Sequence, residues 1–184
     1  MTHVIFIQGA GDGAHREDAL LADSLRRHLG DDFTVDFPRM PAEDDPDYDL
    51  WRPVIEQAVV RASDPVVLVG HSAGGCMLLK YIAEETPKAA AICLIAAPFP
   101  GGDPDWTFDG FDLPDDLAAR MPSSTPVFLY ASEDDEIVPF AHRDLYAAAI
   151  PGATTRTTVG GHQLGRDLSA VAEDIRRVRR RPNV

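Results

Sequence analysis

The continuous apolar run at residues 65–70 constrains the fold of this chain more than any other feature. It reads Pro-Val-Val-Leu-Val-Gly, and apolar side chains on both faces are typical of a central strand in a parallel sheet that helices cover on both sides. A glycine-containing turn at residues 70–74 and a helical pattern extending to about Glu85 follow directly. Parallel neighbours need long crossover connections, which are usually helical. The run therefore predicts an α/β protein.

Other apolar or β-branched runs alternate with amphipathic patterns along the rest of the chain. We expect strands at residues 4–7, 33–37, 65–70, 91–96, 127–131 and 154–159. We expect helices at 16–28, 50–62, 140–149 and 164–179, a short one at 115–120, and one that follows the 70–74 turn and extends to about residue 85. This alternation predicts a three-layer α/β sandwich with a mainly parallel sheet. We expect the strand order 2-1-3-4-5, with the last strand lying outside the fifth. The length of 184 residues is typical of a single domain spanning residues 1–184.

Charge limits the classes of partner. The chain has 17 basic and 30 acidic residues and a net charge of −13, which disfavours binding to nucleic acid or to anionic lipid. The exception is a basic run near the end, Arg176, Arg177, Arg179, Arg180 and Arg181, interpreted as cations that offset the dipole of a last helix. Without an apolar run of about 18 residues or a basic leader, the sequence predicts a cytoplasmic protein.

The turn Gly70-His71-Ser72-Ala73-Gly74 fits the pattern G-x-S-x-G between a strand and a helix. In that setting a sharp turn holds the serine in a strained conformation, and small neighbours avoid collision with the strand and helix. Ser72 is therefore the candidate nucleophile. The alternative is a serine that only caps the helix.

A serine hydroxyl needs a base to take its proton. Of the six histidines, His162 is the best candidate, because it follows the last strand and two glycines that permit a tight turn. His142, early in a helix, is the main competitor.

A carboxylate after the preceding strand should orient the base. The segment 132–139 reads Ser-Glu-Asp-Asp-Glu-Ile-Val-Pro. We expect Asp135 to be this carboxylate, with Asp134 as the alternative, because spacing alone does not separate adjacent aspartates.

An oxyanion requires backbone donors. We expect the N–H of Ala73, directly after the nucleophile, and the N–H of Ala10, in the turn after the first strand. The glycines of that turn do not fit the G-x-G-x-x-G spacing of dinucleotide-binding proteins.

Four segments carry a resemblance to a known family: Ile-Phe-Ile-Gln-Gly-Ala-Gly at 5–11, the turn around Ser72, the acidic segment 132–139, and Val-Gly-Gly-His-Gln-Leu-Gly at 159–165. With them the chain resembles the α/β-hydrolases along nearly its whole length. More narrowly, it resembles the compact group of retinoblastoma-binding serine hydrolases and their bacterial relatives. The resemblance implies a serine hydrolase acting on esters or similar acyl compounds. Two departures are Gln8, where larger members often have histidine, and the segment 99–126, too short for the helical lid of lipases.

Other features have two interpretations each. The acidic loop 43–49 is interpreted as a solvated loop rather than a Ca²⁺ site, because it lacks the spacing of an EF-hand. Trp106, Phe108 and Phe111 either line an acyl pocket or pin their segment to the core. Cys76 and Cys93 are interpreted as small core residues.

These observations predict an esterase-like serine hydrolase of small acyl substrates, with no cofactor, no metal and no nucleic acid or membrane partner. A thioesterase, amidase or acyltransferase could use the same residues. The alternative from another class is a binding or scaffold protein that keeps the fold with little turnover. The oligomeric state stays open.

Overall fold

A computed structural model describes residues 1–62, 66–107 and 110–180. Its strands are β1 Thr2–Ile7, β2 Phe33–Asp36, β3 Val66–His71, β4 Ala91–Ile95, β5 Val127–Ser132 and β6 Thr154–Thr158. They form one six-stranded sheet in the order β2-β1-β3-β4-β5-β6. Every neighbouring pair is parallel. The predicted fold class and strand order are confirmed.

Helices cover both faces of the sheet. They are α1 Ala14–Leu29, α2 Tyr48–Arg61, α3 Ala73–Glu85, α4 Leu117–Arg120, α5 Ala141–Ala149 and α6 Ser169–Arg179. Buried side chains form two clusters, and successive residues of a strand belong to different ones: Leu68 packs with the α2 and α3 side, whereas Val67 and Val69 pack with the α1 and α6 side. This alternation explains why the β3 run is apolar throughout.

The last helix begins later than predicted. A single 3₁₀ turn, Leu164–Arg166, comes first, and α6 starts only at Ser169. All three residues of this turn have positive φ, 47°, 61° and 60° in chain order. An α-helix does not continue through that conformation, so the expected helix at 164–179 is wrong in its first five positions.

Several minor expectations also have outcomes. Cys76 and Cys93 are free thiols, buried on opposite faces of the sheet. The basic run contacts other elements: Arg176 donates to the carbonyl of His28, and Arg179 pairs with Asp32. Pro65, Phe108 and Arg181 lie outside the described residues. No helix in the described ranges is long and apolar enough to cross a membrane.

The parallel arrangement collects loops at one edge. Ser72 follows β3 directly, the acidic segment follows β5, and His162 follows β6 by a few residues. The turn after β1 ends at the same edge. Since carboxyl ends of parallel strands share one edge, all the candidate residues belong to it.

Candidate active site

Ser72 has a strained backbone. Its φ is 52° and its ψ is −131°, a region that residues other than glycine rarely adopt and that costs on the order of 1–3 kcal/mol. The surroundings hold the conformation: the Ser72 N–H donates to the Ile95 carbonyl at 2.8 Å, and the Ser72 carbonyl accepts from the Gly75 N–H at 2.9 Å. The side chain is partly exposed at the end of β3. A sharp strand-to-helix turn thus presents a hydroxyl at the sheet edge.

Two glycines make this turn possible. A Cβ at Gly70 would lie 2.6 Å from the Gly75 Cα. A Cβ at Gly74 would lie 2.0 Å from the Gln8 carbonyl oxygen, which belongs to the loop after β1. Both contacts are with backbone, so no side-chain movement relieves them. The expected need for small residues on either side of Ser72 therefore has a direct cause.

His162 is joined to Asp135. Its Nδ1 lies 3.0 Å from Oδ2 and 3.2 Å from Oδ1 of the carboxylate. Both side chains are buried, with 8% and 1% exposed. The backbone N–H groups of Ile137 and Val138 also donate to Asp135, at 2.8 and 2.9 Å. A proton on Nδ1 leaves Nε2 with a lone pair, which is the arrangement of a general base.

Hydrogen bonds keep Asp135 ionised. Burial raises its pKa, but donation from His162 and from the backbone N–H groups of Ile137 and Val138 outweighs burial and brings the pKa below its ordinary value of 3.8. A carboxylate in this state stabilises an imidazolium as it forms.

Asp134 has different contacts. Its carboxylate accepts from the Ser132 hydroxyl and from the backbone N–H groups of Gly160 and Gly161. These bonds, with the Ser132 hydroxyl first, lower the pKa of Asp134. The side chain thus fastens the loop that carries His162 to the end of β5.

His142 is occupied elsewhere. Its Nδ1 accepts from the Phe99 N–H at 2.8 Å, and its Nε2 lies 3.0 Å from Asp103. The ring also packs against that of Trp106 in a T-shaped arrangement, at a centroid distance of 5.5 Å. His142 therefore anchors the segment after β4, and Trp106 packs against this anchor. Phe111 is buried in the core.

His71, beside the nucleophile, links several parts of the edge. Its Nδ1 lies 2.8 Å from Asp18 and its Nε2 lies 3.1 Å from the carbonyl oxygen of His162. The two imidazole rings are 4.8 Å apart between centroids. The structure thereby brings the Ser72 turn and the His162 loop into direct contact.

Side-chain hydrogen bonds of Gln8 and Glu43 hold the loop after β1 in place. Gln8 is fully buried; its Nε2 donates to Glu43 at 2.9 Å and its Oε1 accepts from the Met40 N–H at 3.1 Å. Glu43 also accepts from the His15 N–H at 2.8 Å. That N–H, followed by Gln8, lowers the pKa of Glu43. Glu43 is therefore a structural brace, which corrects the interpretation of the whole segment 43–49 as solvated.

The two expected oxyanion donors, Ala73 and Ala10, lie in the segments that follow β3 and β1. Ala73 is the first residue of α3, so its N–H has no acceptor within the helix. In the loop after β1, the N–H of Gly9 donates to Asp18 and that of Gly11 donates to the Glu43 carbonyl. Ala10 lies between these two anchored residues. A Cβ at Gly9 would lie 3.0 Å from the Ser72 Cβ, so this loop is beside the nucleophile.

Sequence reasoning missed three polar residues of this edge: Asp18, Glu43 and Gln163. One of them had a signal, because Asp18 lies on the buried face of α1 that includes Leu21, Ala22 and Leu25. A carboxylate on an apolar face needs a partner. Among the residues with described positions, no group of three or more potential metal ligands occurs.

The chain is similar to one protein family in sequence and to several solved proteins in structure. A family model described as serine hydrolase matches residues 19–166. No curated protein sequence matches. Est1E from Butyrivibrio proteoclasticus is similar in structure, with a TM-score of 0.71, 18% identity, and coverage of 98% of this chain and 88% of that one. The ydeN gene product from B. subtilis has a TM-score of 0.71, 20% identity, and coverage of 98% and 100%. At these identities the likeness concerns the fold.

Proposed function

Because the chain belongs to the serine hydrolase family, we propose that it cleaves a carboxylic ester, or a similar acyl bond, of a small substrate through an acyl-enzyme intermediate on Ser72. The observation that carries this proposal is the strained turn at Ser72 at the same sheet edge as the contact between His162 and Asp135. The solved structures described as esterases or lipolytic enzymes share the fold and are consistent with this activity.

The proposed reaction begins with proton transfer. Nε2 of His162 removes the proton of the Ser72 hydroxyl as the oxygen attacks the ester carbonyl, while Asp135 stabilises the imidazolium. The hydrogen bond between a nucleophile and its general base often tightens only when substrate is bound. The imidazolium then gives its proton to the leaving alcohol. Water, activated by the same nitrogen, releases the acid and regenerates Ser72.

The developing oxyanion needs donors that are already in place. The N–H groups of Ala73 and Ala10 fill this role in the proposal. The brace from Gln8 to Glu43 holds the loop that carries Ala10. Donors that do not have to reorganise stabilise a transition state strongly, and loss of one costs about 10²–10³ in kcat. The chemistry requires no metal and no cofactor.

The segment between β4 and β5 bears on the substrate. Apart from residues 108 and 109, it consists of loops and the four-residue helix α4, which favours an open site and a small acyl group. The narrower resemblance to retinoblastoma-binding serine hydrolases stays part of the proposal, and it implies esters or similar acyl compounds as substrates. A structure of Est1E contains ferulic acid, so aromatic acyl esters belong in the substrate panel. The cytoplasmic location and the lack of nucleic acid and membrane partners stay predictions.

The test combines a covalent probe with substrates. Wild-type protein is treated with a fluorophosphonate probe and assayed on p-nitrophenyl esters of graded chain length, an aromatic ester, and matched thioesters and amides. We expect labelling and ester turnover, both lost in Ser72→Ala. The matched control is Ser124→Ala, since Ser124 is exposed in the loop before β5; it should behave as wild type.

Each other outcome favours a different function. Preference for thioesters or amides assigns one of the alternative acyl-transfer activities. A folded wild-type protein that neither labels nor turns over any substrate overturns the enzyme proposal and favours a binding protein.

A further inference from the structure

Asp18 and His71 form a buried carboxylate–imidazole contact that the proposed reaction does not use. Their side chains are each 2% exposed, and Nδ1 lies 2.8 Å from Oδ2. A buried charge pair is a weak source of stability compared with apolar packing. Such a pair beside a nucleophile therefore calls for an explanation other than stability.

The Asp18 carboxylate joins three separate loops. Oδ2 accepts from the Gly9 N–H at 2.7 Å, in the loop after β1, and also faces His71 at the end of β3. Oδ1 accepts from the Gln163 side chain at 3.2 Å, in the loop after β6. One side chain thus contacts the loop of the proposed oxyanion donor, the turn of the nucleophile and the neighbour of the proposed base.

The ring of His71 needs two protons to make its contacts. Nδ1 faces a carboxylate and Nε2 faces the His162 carbonyl oxygen at 3.1 Å. Both partners are acceptors, and a neutral imidazole has only one N–H. The Nε2 atom of His71 can donate its own proton to the His162 carbonyl only if a second proton lies between Nδ1 and the Asp18 carboxylate. Without it, one of the two contacts becomes lone pair against lone pair.

We propose that Asp18 and His71 are positioning residues: Asp18 keeps His71 a double donor, and His71 in turn clamps the backbone of His162 against the Ser72 turn. This inference rests on the proposed function, because it concerns the base of that reaction. Positioning matters since a displacement of about 1 Å at a reacting group can cost about 10²-fold in rate.

The charges around His71 support a protonated ring. Burial lowers its pKa, but the Asp18 carboxylate outweighs burial and raises the pKa above 6.5. Asp135 acts in the same direction from the loop after β5, and the His162 ring faces His71 from the loop after β6. Since the pKa is raised, the ring keeps its second proton to a higher pH than an ordinary imidazole, and the clamp should release as pH rises.

Two substitutions of His71 separate the clamp from the ion pair. In His71→Gln the amide nitrogen reaches the place of Nε2 and still donates to the His162 carbonyl. In His71→Asn the amide nitrogen reaches only the place of Nδ1. Both leave Asp18 without its cation, so their stabilities should be similar. We expect kcat of His71→Gln to exceed that of His71→Asn by about tenfold, with KM within about threefold.

Removal of the Asp18 charge tests the other half of the pair. In Asp18→Asn, an amide oxygen toward His71 requires Nδ1–H and so strips the donor from Nε2, whereas an amide nitrogen there repels the Gly9 N–H. We expect kcat to fall by about 10- to 100-fold. The matched control is Asp174→Asn: Asp174 is equally buried and pairs with Arg156, but it lies on α6. Asp174→Asn should lower the free energy of unfolding without the decrease in kcat that we expect for Asp18→Asn.

A readout independent of turnover decides the inference if the protein proves inactive. In ¹⁵N-histidine NMR spectra of the resting protein at pH 6.5, the ordinary pKa of the ring, we expect both nitrogens of His71 to be protonated in wild type and only one in Asp18→Asn. A neutral His71 in wild type, or equal kcat in the two His71 variants, overturns the inference. Absence of wild-type turnover instead overturns the proposed function and leaves the NMR result to judge the pair.

Discussion

His162 and Asp135 are 27 residues apart in the chain, yet Nδ1 of the first lies 3.0 Å from Oδ2 of the second. The contact exists because their loops follow β5 and β6, which are neighbours in the sheet. Asp134, adjacent in the chain, instead contacts the backbone of Gly160 and Gly161. Two adjacent carboxylates therefore hold one loop in different ways.

The different contacts of the two aspartates predict different kinetics. Asp135→Asn should reduce kcat by about 10³- to 10⁴-fold, because an amide favours the wrong tautomer of the imidazole. Asp134→Asn is the matched control; it weakens only the hold on the loop and should cost about tenfold or less. Steady-state kinetics on one p-nitrophenyl ester measures both. Equal losses would assign both carboxylates to positioning and contradict the role of Asp135.

The two candidate bases are separated by the same kind of comparison. His162→Asn should lower the rate of ester hydrolysis until it exceeds the uncatalysed rate by only about 10³- to 10⁴-fold. His142→Asn should act mainly on KM, since His142 anchors the segment after β4 through Phe99 and Asp103. Fluorophosphonate labelling rates check the result without a choice of ester. Loss of labelling in His142→Asn with retention in His162→Asn would reverse the assignment.

Steric contacts of Gly74 predict a large loss of stability. In Gly74→Ala the new methyl group would lie 2.0 Å from the Gln8 carbonyl oxygen, and backbone must move. We expect a cost of about 3 kcal/mol or more in the free energy of unfolding, with lower kcat in whatever remains folded. In the control Gly102→Ala the nearest atom is the end of the Leu145 side chain, which can rotate, and the nearest backbone atom is the Phe99 carbonyl oxygen at 3.0 Å, so the cost should be smaller, within about 2 kcal/mol. Urea unfolding measures both, and equal costs would contradict the close packing.

Acid should remove stability that Asp135 contributes. Its pKa is lower in the folded protein than the ordinary 3.8, so the stabilisation is present above that value and is lost as pH falls through the lower folded value. The difference in unfolding free energy between wild type and Asp135→Asn should therefore be largest near neutral pH and shrink below about pH 4.

The exposed pair of Asp116 and Arg120 provides the control for this measurement. Water screens such a pair, so Asp116→Asn should change stability little at any pH. Urea titrations at several pH values test both variants. A difference for Asp135→Asn that does not depend on pH would show that folding does not lower the pKa of its carboxyl group.

Most of the fold could be predicted from the sequence. Period-two and period-3.6 patterns depend on residues a few positions apart, and they predicted six strands and the strand-to-helix turn at Ser72, whereas the strand order was expected from the fold class. The predicted start of the last helix was wrong because Leu164 and Arg166 adopt positive φ, which the spacing of apolar residues does not reveal. The loop 160–165 is shaped instead by bonds from Gly160 and Gly161 to Asp134.

The sequence by itself determined that a serine lies at the end of a buried strand, with histidines and aspartates later in the chain. Only the tertiary structure decided which aspartate meets which histidine, that His142 is engaged elsewhere, and that Asp18 on α1 joins three loops. The physical reason is that hydrogen bonds are directional and short-ranged. Their partners depend on ångström-scale placement of groups that the chain separates by tens of residues.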